Sequence, residues 1–167
     1  TDTLSTLPAV ELVAGLVEVL KYGVIRDAEL FAFIENSLYD ILQLNHAALV
    51  NIIATSCTIK ANVVEEDEKE THLRAILNYG HTIGHAIETL TGYKKYRHGE
   101  AVAMGMLYAT KIAMEMGLTD PPVLERQLSL VRRLGLPLHD GLPPENMVRA
   151  LYTDKKTIAG RLRFILP

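Results

Sequence analysis

The chain is poor in the residues that build disulfide frameworks and aromatic cores, since its 167 residues include one cysteine, no tryptophan and three phenylalanines. The lone Cys57 cannot form an internal disulfide, which suits a reducing cytoplasm, and we expect it to be buried in a helix. A net charge of -3 gives no indication of nucleic-acid binding. We find neither a signal-peptide pattern nor an apolar run that should cross a bilayer, so we expect no membrane partner and a cytoplasmic location.

Also missing are a Gly-rich phosphate loop after a strand and the alternating strand–helix pattern of a dinucleotide-binding fold. Helical periodicity instead covers most of the chain, and we predict a mainly α fold with a single helical domain over residues 1–167. The predicted helices are Val10–Lys21, Ala28–Asn36, Ala47–Val64, Leu73–Leu90, Gly99–Met116, Val123–Leu134 and Pro144–Tyr152. Residues Arg161–Leu166 follow Gly160 and alternate, which predicts a short β-strand near the C-terminus.

The most informative segment contains Arg74, Asn78, His81, His85 and Glu88. On a single helix with about 3.6 residues per turn, these side chains would form one narrow stripe. A solvated helix face usually carries interchangeable Lys and Glu, whereas this stripe carries a guanidinium, an amide, two imidazoles and a carboxylate. Because such groups bind anions and metals and move protons, the stripe predicts the wall of a functional site. A hydrogen-bonded histidine pair in a polar groove is the alternative.

A third histidine, His98, stands at the predicted start of the next helix. Four glycines lie in or beside these two helices, and each costs about 1 kcal/mol in helix propensity relative to alanine. They are Gly80, Gly84, Gly99 and Gly105. Glycines placed in helices despite this cost indicate that the two helix backbones pack closely, which would press His98 against His81. Two histidines and a carboxylate with open positions form a catalytic type of metal site, and chemistry alone allows Glu18, Glu88 or Glu100 as the carboxylate.

Glu18 and Lys21 lie one turn apart in an otherwise apolar stretch. Such a pair is either the polar edge of a surface helix or a buried functional pair, and the residues themselves leave both interpretations open.

Several motifs, in this order, resemble the C-terminal domain of the 3-dehydroquinate synthase family. They are Glu18–Gly23, Leu73–Glu88, His98–Ala103 and Asp154–Lys156. The opening Asp2–Pro8 and the segment Lys60–Val64 also resemble that family, so the resemblance covers nearly the whole chain. No single motif would suffice, but their combination is specific.

The resemblance implies three metal ligands for Zn²⁺ or Co²⁺, namely Glu18, His81 and His98. It implies catalytic roles for His85 and Lys21. The implied substrate-binding residues are Lys21, Lys60, Arg74, Asn78, His85, Lys155 and Lys156. Only one of the last two lysines matches a phosphate-binding residue of the family, and both stay candidates.

The resemblance also implies an activity, the metal- and NAD-dependent conversion of 3-deoxy-D-arabino-heptulosonate 7-phosphate to 3-dehydroquinate and phosphate. This carbon–oxygen lyase reaction belongs to the shikimate pathway of aromatic amino acid biosynthesis. The family binds NAD mainly in an N-terminal domain that this chain lacks. We therefore expect a piece of a longer polypeptide, inactive alone, that joins the missing domain and forms a homodimer when complete. Another sugar-phosphate cyclase and a non-catalytic helical binding module are the alternatives, although an intact set of ligands argues against the latter.

Overall fold

The computed structural model describes residues 2–69, 73–139, 141–153 and 164–167. All regular secondary structure within these ranges is helical, which confirms the mainly α prediction. The α-helices are α1 (Ala9–Ile25), α2 (Ala28–Leu42), α3 (His46–Glu66), α4 (His81–Leu90), α5 (His98–Glu115), α6 (Pro121–Arg133) and α7 (Pro144–Thr153), and the short 3₁₀ helices are Asp2–Thr6 and Leu73–Asn78. Half of the predicted strand Arg161–Leu166 lies outside the described residues, and Phe164–Leu166 has no regular secondary structure.

The chain divides into two compact units, Thr1–Leu77 and Asn78–Pro167, and the single domain over 1–167 stays a prediction. In the first unit, α1, α2 and α3 pack against one another in every pairing. Their shared core includes Val17, Ile34, Ile41 and Ile52, each at most 2% exposed. A fully buried aliphatic side chain of this size contributes about 1.5–3 kcal/mol, so burial of these faces holds the three helices together.

Side-chain caps fix where two of these helices begin. Asp27 Oδ1 accepts a hydrogen bond from the backbone N–H of Leu30 at 2.9 Å, and Asn45 Oδ1 accepts one from Ala48 at 3.1 Å. Each cap satisfies a backbone donor that the first helical turn leaves without a partner, and such caps contribute about 1 kcal/mol. The predicted start of a helix at Ala28 is confirmed.

The helix α3 corrects two expectations. Cys57 is exposed, not buried, because it lies on the outer face of this helix. By length and composition alone α3 could also cross a membrane, contrary to our expectation from the sequence. One face of α3 is nevertheless core, with Ile52 and Ile59 buried, while Val50 and Ile53 are 44% and 40% exposed. The absence of a membrane partner therefore stays a prediction.

In the second unit α5 is the central helix, because it packs against both α4 and α6, while α4 also contacts α7. Eleven of its 18 residues are buried. A helix that is apolar all round is normally enclosed by neighbours, and the small residues Ala101, Ala103 and Ala109 allow those neighbours to approach.

Helices α4 and α5 touch through their backbones. A Cβ atom added at Gly105 would lie 2.0 Å from the carbonyl oxygen of Gly80, and one added at Gly84 would lie 3.1 Å from Val102 Cα. Neither side can yield, since the opposing atoms are backbone. The close packing predicted from the glycines is therefore confirmed.

The predicted helix Leu73–Leu90 is wrong. Leu73–Leu90 is not continuous: a 3₁₀ helix ends at Asn78, and α4 begins at His81. Between them Gly80 has a φ of +78°, a left-handed conformation that a right-handed helix cannot contain and that favours glycine. Within α4 the predicted polar stripe therefore comprises His81, His85 and Glu88, while Arg74 and Asn78 belong to the preceding 3₁₀ helix.

Candidate metal and substrate site

Three imidazoles meet in the second unit. His81 is the first residue of α4, His85 lies one turn further along it, and His98 is the first residue of α5. The ring centroid of His81 lies 5.5 Å from that of His85 and 5.3 Å from that of His98, and His85 and His98 are 5.9 Å apart. The structure therefore brings together the three histidines that the sequence selected.

Hydrogen bonds define which nitrogen of two rings carries the hydrogen. His81 Nδ1 lies 3.1 Å from the carbonyl oxygen of Tyr79, and His98 Nδ1 lies 3.1 Å from Glu88 Oε1. A carbonyl and a carboxylate only accept hydrogen bonds, so each Nδ1 donates. A neutral ring of this tautomer has its lone pair on Nε2, which is therefore the atom that could bind a metal. The donor set fits Zn²⁺ or Co²⁺.

A buried polar network holds the carbonyl that orients His81. The Tyr79 side chain is fully buried, and its hydroxyl lies 3.0 Å from both the Met106 carbonyl oxygen and Gln127 Oε1, and within hydrogen-bond distance of Thr110. Burial raises the pKa of Tyr79 to about 12, and the hydrogen bonds to Thr110 and Gln127 oppose that rise. Tyr79 is thus anchored to α5 and α6.

This network was not predicted from the sequence. The available signal was the polar pair Thr110 and Gln127, because polar residues within apolar helical faces need buried partners.

In the first unit, Lys21 is a buried cation. It is 4% exposed, and its Nζ donates to Glu18 Oε2 at 2.6 Å and to the Leu77 carbonyl oxygen at 2.7 Å. This geometry favours the buried functional pair over the surface helix edge. Burial raises the pKa of the neighbouring Tyr22 phenol, and electrostatic interactions with Glu18 and Cys57 raise it further.

The other predicted substrate residues differ in exposure. Lys60 is exposed on α3, whereas Arg74 and Asn78 are half-buried in the 3₁₀ helix. The backbone N–H of Arg74 donates to Asp67 Oδ2 at 2.9 Å, which fixes the start of that helix. Lys155 and Lys156 lie outside the described residues.

The three carboxylates considered as ligands belong to three different helices, α1, α4 and α5. Glu18 belongs to the first unit, whereas His81 and His98 belong to the second, so the ligand set of these three residues stays a prediction. Glu88 is buried against His98, and Glu100 accepts a hydrogen bond from the backbone N–H of Arg97 at 2.7 Å, as a cap of α5.

Next to the histidines the surface is rich in positive charge. A cavity of about 410 Å³ lies beside Glu88 and His98, and Lys94, Lys95 and Arg97 also line it. Sequence reasoning overlooked these three cations. Their charge favours an anionic ligand near His98.

The solved structures that share this fold include two enzymes. The 2-epi-5-epi-valiolone synthase of Streptomyces hygroscopicus, with NAD⁺ and Zn²⁺ bound, matches with a TM-score of 0.80 and 29% identity over 89% of this chain and 42% of its own. A 2-deoxy-scyllo-inosose synthase complexed with carbaglucose-6-phosphate, NAD⁺ and Co²⁺ matches with a TM-score of 0.77 and 32% identity over 92% of this chain and 42% of its own. The fold is therefore the helical part of dehydroquinate synthase-like enzymes.

Sequence comparison identifies the family within this fold. The profile of the 3-dehydroquinate synthase C-terminal family matches residues 15–157, and the chain belongs to this family. The 3-dehydroquinate synthase of Caldanaerobacter subterraneus is 53% identical over all of this chain and 47% of its own length. That of Desulforamulus reducens is 52% identical over 99% of this chain and 46% of its own length. The chain thus spans about half the length of the curated relatives it matches.

Proposed function

We propose that the complete protein is a 3-dehydroquinate synthase, a carbon–oxygen lyase that converts 3-deoxy-D-arabino-heptulosonate 7-phosphate to 3-dehydroquinate and phosphate. The observation that carries this proposal is the cluster of His81, His85 and His98, with Nδ1 of two rings engaged as donors. Identity of 53% to a relative of that name supports the same chemistry.

The metal part of the proposal gives Zn²⁺ or Co²⁺ to His81 and His98, with Glu18 as the third ligand that the family resemblance implies. Bound there, such an ion supplies Lewis acidity that lowers the pKa of substrate hydroxyls. The nicotinamide cofactor belongs to an N-terminal domain outside this chain. Two solved relatives contain NAD⁺ together with Zn²⁺ or Co²⁺, which supports this pair of cofactors.

The chain's own groups then bind the substrate and move its protons. An imidazole accepts a proton at one ring nitrogen and returns it, which suits His85 as the proton carrier beside the metal ligands. The Lys21 ammonium has three N–H groups, and two of them serve Glu18 and Leu77, so it can also donate to a substrate hydroxyl.

The ends of the substrate carry negative charge and need matching cations. A planar guanidinium binds a carboxylate with two parallel hydrogen bonds, so we assign the substrate carboxylate to Arg74, with Lys60 as a second charge. Asn78 and one lysine of the pair Lys155 and Lys156 serve the hydroxyls and the phosphate.

Cyclisation of a different sugar phosphate is the second candidate, because two of the solved structures that share this fold are other synthases. Sequence identity supports the first candidate, since those two synthases are 29% and 32% identical to this chain, against 53% for a 3-dehydroquinate synthase.

The test joins this chain to its N-terminal domain in one polypeptide and measures phosphate release with NAD and Co²⁺. We expect release from 3-deoxy-D-arabino-heptulosonate 7-phosphate and none from glucose 6-phosphate. His85→Ala should keep most of the metal and lose turnover, whereas substitution of the exposed His46 by Ala should change neither. Release from glucose 6-phosphate alone would favour the second candidate.

The 167-residue chain by itself should release no phosphate, because hydride transfer needs a nicotinamide ring held against the reacting carbon. NAD-dependent phosphate release by the isolated chain would refute the proposal that NAD binds in a separate N-terminal domain. Metal content of the complete protein in His81→Ala and His98→Ala checks the ligand assignment, and both variants should bind less Co²⁺ than the parent.

A further inference from the structure

Glu88 is a buried carboxylate for which the proposed reaction has no direct use. It lies on α4, its side chain is 11% exposed, and its Oε1 is 3.1 Å from His98 Nδ1. An ionised carboxylate in such surroundings is costly unless a donor compensates it. The partner in this contact is a ring from the neighbouring helix, and that ring belongs to a predicted metal ligand.

The contact with Glu88 determines the tautomer of His98. Because the carboxylate accepts, Nδ1 of the neutral ring carries the hydrogen and Nε2 carries the lone pair. The His98 side chain is 50% exposed while Glu88 is nearly enclosed, so the buried carboxylate holds the ring from its inner side. This contact restricts rotation of the ring about its χ angles and favours one tautomer, and both effects improve the ring as a ligand.

His81 shows the same arrangement with a weaker acceptor. Its Nδ1 lies 3.1 Å from a backbone carbonyl, that of Tyr79. Two histidines on two helices therefore use the same nitrogen for orientation. A charged acceptor makes a stronger hydrogen bond than a neutral one, so Glu88 holds its ring more firmly than the Tyr79 carbonyl holds the ring of His81.

We propose that Glu88 is a positioning residue that holds His98 as the Nδ1–H tautomer and thereby tunes the metal site. This inference rests on the proposed function, which makes His98 a ligand. It differs from direct ligation, in which Glu88 would bind the ion together with His85 and His98, whose candidate ligand atoms lie within 4.8 Å of one another.

The experiment uses the complete protein with Glu88→Gln and Glu88→Ala. Glu115→Gln is the matched control, because it removes one carboxylate charge from an exposed position in the last turn of α5. Competition with a chelator measures Co²⁺ affinity, and X-ray absorption of the loaded protein counts the ligands. Long-range ¹H–¹⁵N spectra of the metal-free protein report the histidine tautomers.

We expect Glu88→Ala to weaken Co²⁺ binding about 10–100-fold, the usual effect of losing a group that orients a ligand. Glu88→Gln should lose less, because the amide oxygen still accepts from Nδ1, and the control should match the parent. The number of ligands should stay the same in both variants, and His98 should lose its Nδ1–H preference in the alanine variant.

Each other outcome overturns the inference in a distinct way. Loss of an oxygen ligand in both variants would make Glu88 a ligand. Unchanged Co²⁺ affinity and tautomer in both variants would show that Glu88 does not position His98. Failure of the parent to bind Co²⁺ would instead refute the metal site of the proposed function, and the inference with it. If the alanine variant does not fold, the isosteric glutamine variant decides by the same measurements.

Discussion

Substitution of Gly105 by alanine tests whether backbone contact between α4 and α5 builds the second unit. The added Cβ atom would lie 2.0 Å from the carbonyl oxygen of Gly80 and 2.8 Å from the backbone nitrogen of Gly84. No side-chain rotation can relieve this overlap, because both opposing atoms are backbone. The two helices must separate, or α4 must shift along its neighbour.

The magnitude follows from two opposing terms. Overpacking a well-packed core costs about 1–3 kcal/mol, and an overlap with rigid backbone belongs at the upper end of that range. Alanine also improves helix propensity over glycine by about 1 kcal/mol, which offsets part of the cost. We therefore expect Gly105→Ala to lower the free energy of unfolding by about 2 kcal/mol.

Urea unfolding of the 167-residue chain, followed by circular dichroism, measures this change. With a slope of about 1–3 kcal/mol per molar urea, the midpoint should fall by roughly 1 M. Gly15→Ala is the matched control, because Gly15 is an exposed glycine within α1 and an added Cβ meets nothing within 4 Å. This variant should gain about 0.5–1 kcal/mol. Equal gains in both variants would refute the backbone contact.

Three further outcomes follow from the contacts. The Tyr79 pKa of about 12 exceeds the ordinary value of 10, so the folded protein holds this proton more tightly than the unfolded chain does. The resulting stability of about 3 kcal/mol is present below pH 10 and should be lost as the pH rises through 12. Urea midpoints of Tyr79→Phe should not show this loss. Glu18→Ala removes one of the two acceptors of the Lys21 ammonium and leaves the Leu77 carbonyl, which should lower the free energy of unfolding in urea by about 2 kcal/mol. A second change, Lys21→Met, removes the buried charge and should restore most of this stability. Arg74→Lys in the complete protein should raise the KM for the carboxylate-bearing substrate about tenfold and leave that of an analogue without the carboxylate unchanged. The first expectation would be contradicted if the difference in urea midpoint between the parent and Tyr79→Phe did not change with pH. The second would be contradicted if adding Lys21→Met did not restore stability, and the third if Arg74→Lys left the KM for the normal substrate unchanged.

Helical content was predictable because apolar spacing records the period of a helix wherever one face is buried. The caps at Asp27 and Asn45 are equally local, since each is a side chain that bonds a backbone N–H three residues later. The break after Asn78 was not predictable in this way. Gly80, which has a positive φ at this break, packs against Gly105 of α5, 25 residues away in the chain, and local spacing does not record such a contact.

Exposure on α3 shows a second limit. Its sequence is apolar on more than one face, so spacing does not say which face enters the core. Cys57 was assigned to the inside on the average behaviour of cysteine, yet it lies outside, while Ile59, two residues later, is buried. Only the packing partners of a helix decide such cases.

The functional side chains were selected by chemistry, but their geometry depends on residues that carry no functional group. His81 directly follows the glycine whose carbonyl touches Gly105, and His98 begins the helix that contains Gly105. Any change that separates the two backbones therefore also separates the two imidazoles, whose centroids lie 5.3 Å apart. A metal with bond lengths of about 2.0–2.1 Å to each nitrogen tolerates little such separation. Gly105→Ala should consequently weaken Co²⁺ binding by the complete protein even where the variant is fully folded, and the exposed control Gly15→Ala should not. Retention of parental affinity in folded Gly105→Ala would mean that the histidines adjust independently of their helices.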